Sequence, residues 1–392
     1  MSTSTGCGPA IEVVAKGNPL EMGSAQGESL REKIRLSPDI LAQLHGFRML
    51  QPAWMPYALY RRISESRATR FLEDSLKLDF PEAHLRMKGI SGQSEISMSL
   101  LHLLHALEPM LSDVSRCAVV PAFAACSAVA VRRRRSATHE PVIVRNFDYL
   151  PVVQPLYTLR ESRPHSGFRS LDFTIAPFAG TVDGVNEKGL CITYDYAYVS
   201  DFSGRGTAPI SIAIAEALQR CATVIEAADW ISSRPRWGGG ILMLADAGGD
   251  IASLELSNTR NQVRRPSGGA SDVLFHTNAF FTKKMQEVEL AANAVYTDRA
   301  PLPLRGRRIH ESANVRDLRF KQLLHGDEPL DADQLSSIMA DHQTGGRPGD
   351  TSICKHSDYW NTTATLQLFP ASRRMRVAFD SPCRAEYTEF AL

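Results

Sequence analysis

The chain has 392 residues, with 44 Lys and Arg against 43 Asp and Glu, which gives a formal net charge of +1. Its content of 43% hydrophobic and 22% charged residues is typical of a globular protein and excludes a mostly disordered chain. A charge balance this close to zero argues against a general nucleic-acid binder, which needs a large basic excess to hold phosphates.

Targeting and metal-binding patterns are absent from the sequence. The N-terminus has no basic region followed by an apolar run, and the most apolar stretch, residues 98–111, is shorter than the roughly 20 residues that cross a bilayer. Seven cysteines, an odd number without a CxxC pair, indicate neither a disulfide framework nor a zinc site. Asp341, His342 and His356 are too sparse to define a site. We therefore expect a cytoplasmic protein that binds no metal ion, nucleic acid or membrane.

The first part of the chain, to about residue 115, has apolar residues at helical spacing. Gly89 and Gly92 are typical of a connector within this part, just before its last helix. The sequence predicts helices at residues 28–35, 41–50, 63–78 and 98–107. We interpret this part as a helical annex to the rest of the chain.

From residue 118 onward, short runs typical of strands take over. They are residues 127–133, 141–147, 190–196, 241–245, 251–256, 273–277, 362–369 and 375–379. Further helices are predicted at about residues 209–220, 223–232, 315–324 and 332–340. The second of these begins with a capping box formed by Thr223 and Glu226. This mixture predicts one α+β domain in which helices cover sheets.

Cys126 lies at the boundary between the two parts. A β-hairpin with residues 134–140 as its loop would return Arg145 and Asp148 to this cysteine. A guanidinium near a thiol lowers the pKa of the thiol, and a carboxylate beside it can orient a base. No histidine has an obvious partnering position. The alternative interpretation is that Cys126 is a small buried residue of a strand.

Several segments, taken in order, resemble one enzyme family. They are GNPLEMG (17–23), KGISG (88–92), CSAVAV (126–131), VRNFDY (144–149), DGVNEKGL (183–190), ADAG (245–248) and HTNAF (276–280). Together they are similar to the acyl-coenzyme A:6-aminopenicillanic acid (isopenicillin N) acyltransferase family of N-terminal-nucleophile hydrolases. They also resemble its more distant relatives, the bile-salt hydrolases and penicillin V acylases.

The resemblance implies a four-layer αββα sandwich and a precursor that cuts itself between Ala125 and Cys126. Residues 1–125 would form a helical N-terminal segment, the small subunit, and residues 126–392 would form the αββα large subunit. The two would remain associated. The freed α-amino group, with an ordinary pKa of about 7.7–8.0, can act as the base for its own thiol. No cofactor is implied, although acyl-CoA can serve as a co-substrate.

The same resemblance implies roles for two residues close to the nucleophile. Arg145 and Asp148 match the Arg and Asp of the RNxD pattern of the family. Arg145 would polarise the thiolate of Cys126, and Asp148 would hold the α-amino group that the cut exposes.

Two further groups are implied as donors to the oxyanion of the tetrahedral intermediate. They are the side-chain amide of Asn278 and the backbone N–H of Tyr196. Arg316 best matches a late arginine near the nucleophile, and Arg319 is the alternative.

Three other patterns have simpler structural interpretations. Residues 132–135 are four arginines, which we expect in solvent at the hairpin tip. His102 and His105 have a metal-binding spacing but no carboxylate or cysteine partner nearby, so we expect them to be packed. Gly238–Gly240 precedes a strand instead of opening a helix, which excludes a dinucleotide loop. The aromatic residues of the range 147–202 either fill the core or line an apolar pocket over Cys126.

We therefore expect a self-processing cysteine enzyme that cleaves or forms an amide bond through a thioester on Cys126. Its partners would be a small-molecule amide or acyl donor and an amine acceptor, and a homo-oligomer is compatible with the sequence. The alternative is an uncleaved, catalytically silent family member that binds small molecules. The presence of Cys126, Arg145, Asp148 and Asn278 together favours the enzyme.

Overall fold

A computed structural model of the chain describes residues 9–115, 125–202, 207–267, 272–343 and 348–392. The strands within these ranges are β1 (Ile11–Gly17), β2 (Ser127–Val131), β3 (Val142–Tyr149), β4 (Tyr157–Pro164), β5 (Ser170–Ile175), β6 (Asp183–Asn186), β7 (Cys191–Ala197), β8 (Gly239–Ala245), β9 (Ile251–Leu256), β10 (Asn261–Arg264), β11 (Val273–His276), β12 (Asn361–Phe369), β13 (Arg374–Ala378) and β14 (Thr388–Ala391).

The helices surround these strands in sequence and in space. They are α1 (Pro19–Ser29), α2 (Arg31–Arg35), α3 (Ser37–Gln43), α4 (His45–Arg48), α5 (Tyr57–Asp79), α6 (Pro81–Ser94), α7 (Met98–Ser115), α8 (Ile210–Arg220), α9 (Val224–Ser233), α10 (Lys283–Gln286), α11 (Glu311–Leu323) and α12 (Ala332–Met339). None of the described helices combines the length and the apolar character that crossing a bilayer requires.

The strands form two sheets that pack face to face. One sheet has the order β1-β4-β5-β6-β7-β8-β9-β10, and the other has the order β11-β2-β3-β12-β13-β14. Strands β2 and β3 contact β7 and β8 across the interface, and β12 contacts β6. Helices α8 and α9 cover the outer face of the first sheet, and α11 and α12 cover that of the second. The predicted α+β fold with four αββα layers is confirmed.

The alternation of side chains along β2 and β3 determines which of their residues face the space between the two sheets. Ala128 and Ala130 of β2 belong to the apolar core between the sheets, whereas Val129 and Val131 pack outward beneath α11 and α12. Since successive side chains of a strand point to opposite faces, the inner face of β3 carries residues 143, 145, 147 and 149. The guanidinium of Arg145 therefore lies between the two sheets, where it is fully buried.

The N-terminal segment is not wholly helical, contrary to the prediction. Strand β1 pairs in parallel with β4 and forms the edge of the first sheet. Its burial alternates, with Val13, Ala15 and Gly17 buried and their neighbours more exposed. This is the period-2 pattern of a strand with one solvated face.

The connector predicted around Gly89 and Gly92 is also wrong, because both residues lie inside helix α6. Helices α1 and α6 cross with their backbones in close contact. A Cβ atom on Gly89 would lie 2.3 Å from Leu20 O, and one on Gly23 would lie 2.0 Å from Arg86 O. These glycines allow the close approach of the two helices and do not interrupt α6.

Two smaller predictions have different outcomes. The capping box of Thr223 and Glu226 at the start of α9 is confirmed, with both reciprocal hydrogen bonds present. The expectation that the arginines at 132–135 are all solvated is wrong for Arg135, which is only 5% exposed. Arg134 is exposed and lies 3.1 Å from Asp272.

Candidate active site

The β2–β3 hairpin places two predicted site residues beside the thiol of Cys126. Cys126 directly precedes β2, and Ser127 pairs with Asn146 in the antiparallel register of β2 and β3. Arg145 Nη2 donates to Cys126 Sγ at 3.3 Å, and Sγ lies 3.7 Å from Asp148 O. All three side chains are fully buried. The hairpin expected from the sequence is therefore confirmed.

Two carboxylates that the sequence analysis did not identify neutralise Arg145. Asp183 of β6 bonds Arg145 Nη1, and Asp195 of β7 accepts from Nε at 2.9 Å. Tyr194 O accepts a further bond from Nη2. Asp183 opens the DGVNEKGL segment on which the resemblance rests, so a signal for it was present. Burial raises the pKa of Asp183 to about 7, although Arg145 opposes this shift.

The thiol of Cys126 is held in its neutral form in the uncut chain. Burial raises its pKa well above the ordinary value, and this effect outweighs the opposing charge of Arg145. Asp195 and Asp148 add to the increase. Arg145 lowers the pKa of the thiol as the sequence indicated, but in this state desolvation and the neighbouring carboxylates together outweigh that one guanidinium.

Asp148 has one oxygen engaged and one without a hydrogen bond. Its Oδ1 accepts from Thr362 Oγ1 at 2.6 Å, while its backbone oxygen accepts from Ala125 N at 3.0 Å. Its Oδ2 accepts no hydrogen bond from the part of the chain that the structure describes. Burial raises the pKa of Asp148, and the nearby Lys355 and Arg316 oppose the shift.

Lys355 is a fully buried cation beside Asp148 that sequence reasoning also missed. Its Nζ donates to Ser312 Oγ at 2.7 Å and to Asp350 O, and it lies 3.5 Å from Asp350 Oδ1. Burial and the neighbouring Arg316 lower the pKa of Lys355. No sequence motif marks this lysine or Thr362.

The remaining three predicted residues form a second network on the other side of Cys126. Arg316 Nη1 donates to Cys126 O at 2.7 Å, and its Nη2 donates to Asn278 Oδ1 at 2.8 Å. Asn278 Nδ2 in turn donates to Tyr196 O at 2.8 Å. Arg319, the alternative to Arg316, instead forms two hydrogen bonds with Asp341. Of the two arginines, Arg316 is therefore the one that contacts Cys126.

Strand β11 explains why Asn278 reaches the nucleophile. His276 of β11 pairs with Ala128 of β2, so that Asn278, two residues further on, lies level with Cys126. His276 itself is buried between the sheets, with Nε2 3.3 Å from Asp195 Oδ2 and Nδ1 3.2 Å from Ser253 Oγ. It therefore contacts a counter-ion of Arg145 and was not singled out in the sequence.

Two cavities flank this network. The larger is mainly apolar; its wall includes Leu104, Leu107, Arg145, Phe147 and Trp237. The smaller is more polar. Its lining includes Ala125, Asn278, His310, Arg316 and Asp350.

The aromatic residues of the range 147–202 divide between the two roles left open by the sequence. Tyr149, Tyr194 and Tyr196 line the larger cavity, whereas Tyr157 and Phe173 pack edge to face in the core. The hydroxyl of Tyr194 donates to Glu108 in the same cavity wall. Burial raises the pKa of Glu108 to about 7.

The two histidines at 102 and 105 are packed, as expected. His105 Nδ1 lies 2.8 Å from Leu101 O, and its Nε2 accepts from Ala179 N at 3.0 Å. His102 Nδ1 lies 3.1 Å from Thr69 Oγ1. Burial lowers the pKa of both imidazoles to about 4, so they are neutral at physiological pH.

Comparison with protein families identifies the group to which the chain is related. The sequence model of the family described as acyl-coenzyme A:6-aminopenicillanic acid acyl-transferase matches residues 134–384. The chain belongs to this family. The matched range contains every predicted site residue except Cys126, which precedes it. Membership supports acyl transfer or amide-bond hydrolysis as the activity, and the family expected from the sequence is confirmed.

Solved structures with partial similarity were also found. An N-acylethanolamine-hydrolyzing acid amidase ortholog from Caenorhabditis elegans has 14% sequence identity and a TM-score of 0.41, and the match covers 68% of this chain and 100% of that chain. A conjugated bile acid hydrolase from Clostridium perfringens has 13% identity and a TM-score of 0.39, with 68% of this chain and 92% of that chain covered. A penicillin V acylase from Agrobacterium tumefaciens has 15% identity and a TM-score of 0.40, with 68% of this chain and 86% of that chain covered. The search of curated protein sequences found no match.

Proposed function

We propose that this acyltransferase-family protein is a self-processing cysteine enzyme that cleaves or forms amide bonds through a thioester on Cys126. The observation that carries the proposal is the buried network around the thiol. It joins Cys126 to Arg145 on one side and to Arg316 and Asn278 on the other, with a cavity beside each. A thiol used only for packing has no need of two arginines and a bridging amide.

The first step of the proposal is self-cleavage. Cys126 Sγ attacks the carbonyl carbon of Ala125, the C–N bond to Cys126 N breaks, and the thiol proton passes to the departing nitrogen. Water then hydrolyses the resulting thioester between the Ala125 carbonyl carbon and Cys126 Sγ, which restores the thiol. The products are residues 1–125, ending in a carboxylate, and residues 126–392, beginning with a free α-amine.

Asp148 is suited to hold that new amine. Its Oδ2 is buried without a hydrogen bond from a described residue, and its backbone oxygen already bonds Ala125 N. A cationic or neutral amine placed there would satisfy this oxygen and oppose the effect of burial on the pKa of Asp148. The amine, with an ordinary pKa of about 7.7–8.0, then accepts the thiol proton of Cys126.

In turnover, the thiolate attacks the carbonyl of an amide substrate and expels an amine, which takes the proton from the α-ammonium group. The acyl group remains on Cys126 Sγ as a thioester. Asn278 would stabilise the tetrahedral oxyanion, because an amide nitrogen carries two hydrogens and can keep Tyr196 O while donating to a second oxygen. The Tyr196 N–H is proposed as the second donor. Water or an amine acceptor then releases the acyl group.

The two cavities suggest how a substrate is oriented. An apolar acyl group fits the larger cavity, whose wall beside Arg145 is formed largely by aliphatic and aromatic side chains. The amine portion fits the smaller cavity, where Asn278, Arg316 and Asp350 provide polar contacts. Acyl-CoA is retained as an alternative acyl donor, and hydrolysis or condensation with a small amine is favoured.

The packing of residues 1–125 against the rest of the chain supports the proposal that the two fragments stay associated. Strand β1 is hydrogen-bonded to β4, and helix α7 provides Leu104 and Leu107 to the larger cavity. Residues 1–125 would therefore remain bound after the cut. The proposed place of action is the cytoplasm.

The test combines denaturing mass spectrometry with amide turnover. We expect wild-type protein to give two fragments that meet at Ala125–Cys126 and to hydrolyse amides with apolar acyl groups. Cys126→Ala should give one intact, inactive chain. Cys221→Ser is the matched control, since Cys221 is also buried but lies at the end of α8, and it should behave like wild type.

Two outcomes would contradict the proposal. Full turnover by Cys126→Ala would remove the cysteine from the mechanism. An intact wild-type chain that binds apolar amides without turning them over would instead support the alternative of a catalytically silent binding protein.

A further inference from the structure

Four potential metal ligands come together outside the candidate active site. His342 follows helix α12, Cys354 and His356 lie in the segment before β12, and Cys383 lies between β13 and β14. One ligand atom from each residue lies within 4.8 Å of all the others. The sequence concealed this cluster, because its members are spread over residues 342–383 without a CxxC or HxxxH spacing.

The distances among three of the four residues are close to those of tetrahedral coordination. Sγ of Cys354 lies 3.7 Å from Sγ of Cys383, and the two sulfurs lie 3.3 and 3.4 Å from His356 Nε2. A tetrahedral zinc ion with Zn–S bonds of about 2.3 Å and Zn–N bonds of about 2.0–2.1 Å places its sulfurs about 3.8 Å apart and each sulfur about 3.6 Å from a nitrogen. The three distances among Cys354, His356 and Cys383 are within a few tenths of an ångström of these values, and the ligand atom of His342 lies within 4.8 Å of the other three.

A disulfide does not account for the arrangement equally well. The sulfurs of Cys354 and Cys383 are far beyond the roughly 2.05 Å of an S–S bond, and both residues are free thiols. The imidazole of His342 packs edge to face on that of His356, with ring centroids 5.2 Å apart. Nε2 of His342 is buried and makes no hydrogen bond to the described residues. A metal ion would satisfy this nitrogen, whereas a disulfide would not.

We propose that His342, Cys354, His356 and Cys383 bind one zinc ion. Two thiolates and two imidazoles in tetrahedral arrangement are a donor set that zinc prefers. Four protein ligands leave no position for water or substrate, so the ion has a structural role. This site replaces the expectation that the chain binds no metal, and it does not depend on the proposed enzymatic activity.

The ion would fix the backbone that supports Asp148. Between the ligands Cys354 and His356 lies Lys355, the buried cation beside Asp148. Lys355 N donates to Thr362 Oγ1 at 2.9 Å, Thr362 N donates to Lys355 O at 3.0 Å, and Thr362 Oγ1 donates to Asp148 Oδ1. Zinc would thereby join the start of β12 to the segments after α12 and β13.

The experiment measures metal in the full chain, purified without a polyhistidine tag and kept reduced. We expect elemental analysis to find about one zinc per chain that survives dialysis. Loss of a residue that only hydrogen-bonds to a metal ligand lowers metal affinity roughly 10–100-fold. His342→Ala and Cys383→Ser remove a ligand itself, so each should weaken zinc binding by more than this. The matched controls are His325→Ala, at an exposed histidine, and Cys221→Ser, and both should retain zinc.

A second measurement keeps the test valid if a variant fails to fold. Wild-type protein loaded with Co²⁺ should show the intense visible absorption of a tetrahedral ion and a thiolate-to-metal band in the near ultraviolet. Stripping the metal should lower the melting temperature of wild type, and adding Zn²⁺ should restore it. Wild-type protein without bound zinc, a Cys354–Cys383 disulfide in the native protein, or equal zinc in all four variants would each overturn the proposal.

Discussion

Replacing Asn278 with Ala removes the side chain that connects Arg316 to Tyr196. Asn278 Oδ1 accepts from Arg316 Nη2 and its Nδ2 donates to Tyr196 O, each at 2.8 Å. If Nδ2 also donates to the oxyanion, the variant loses a contact that is strongest in the transition state. The self-cleavage of the chain is expected to remain.

The magnitude follows from these two contacts. Loss of one oxyanion donor lowers kcat by about 10²–10³, equivalent to about 2.7–4 kcal/mol of activation free energy. Arg316 Nη2 also loses a buried acceptor, which costs about 1–3 kcal/mol of unfolding free energy. The catalytic loss should therefore exceed what a moderately destabilised protein would show.

The assay compares kcat on an apolar amide with the melting temperature, using processed protein verified by mass spectrometry. Thr277→Val is the matched control, because Thr277 precedes Asn278 and its hydroxyl donates to Asp317 Oδ1 at 2.8 Å. The Thr277→Val control should lose stability like the Asn278→Ala variant but keep kcat within about twofold. The hydrogen bond that it loses does not contact the reacting atoms, so its loss lowers the free energy of unfolding and not the rate of the chemical step.

One result would refute the reasoning about Asn278. If folded, processed Asn278→Ala protein kept kcat within about threefold of wild type, the amide would not serve the oxyanion. Its role would then be only to position Arg316.

Two further predictions concern the helical segment. Gly89→Ala should lower the free energy of unfolding by roughly 1–3 kcal/mol, because the new Cβ would lie 2.3 Å from Leu20 O. Gly92→Ala is the control in the same helix, because a Cβ there meets open space. In denaturant titrations this control should be neutral or stabilising. Burial raises the pKa of Glu108 from 4.5 to about 7. Between these two pH values the folded state binds more protons than the unfolded state, so the free energy of unfolding falls as the pH rises from 4.5 to 7. Glu108→Gln keeps an acceptor for Tyr194 OH, and its melting temperature should fall less between pH 4.5 and 7; an unchanged slope would contradict this assignment.

The parts of the fold that were predictable are those in which local pattern and tertiary environment agree. Strands β2 and β3 are buried on both faces, and β2 and the first three residues of β3 read as apolar runs, so the hairpin was evident. Strands β4 and β5 were missed because charged residues interrupt their pattern. Arg160 and Asp172 are buried there as an ion pair, with Nε 3.0 Å from Oδ2. A sequence reader expects such residues in solvent.

The candidate site shows the same division. Cys126, Arg145 and Asp148 could be brought together from one hairpin, since their separation in sequence is short. Lys355 and Thr362 approach Asp148 from the distant strand β12 and the segment before it, and only the three-dimensional register places them there. The larger, opposing effect of burial on the thiol pKa was not predicted for a related reason, because burial is a property of the whole sandwich.

Strand β1 has a consequence for how such a molecule unfolds. It pairs with β4, and Gln26 of the following helix donates to Ala176 O at 2.9 Å, so both contacts cross from the first fragment to the second. A chain cut after Ala125 would unfold into two molecules, and its refolding would be bimolecular and dependent on concentration. At high dilution, unfolding would be practically irreversible, and the unfolding rate would set the lifetime of the protein. An uncut Cys126→Ala chain would refold at a rate independent of concentration.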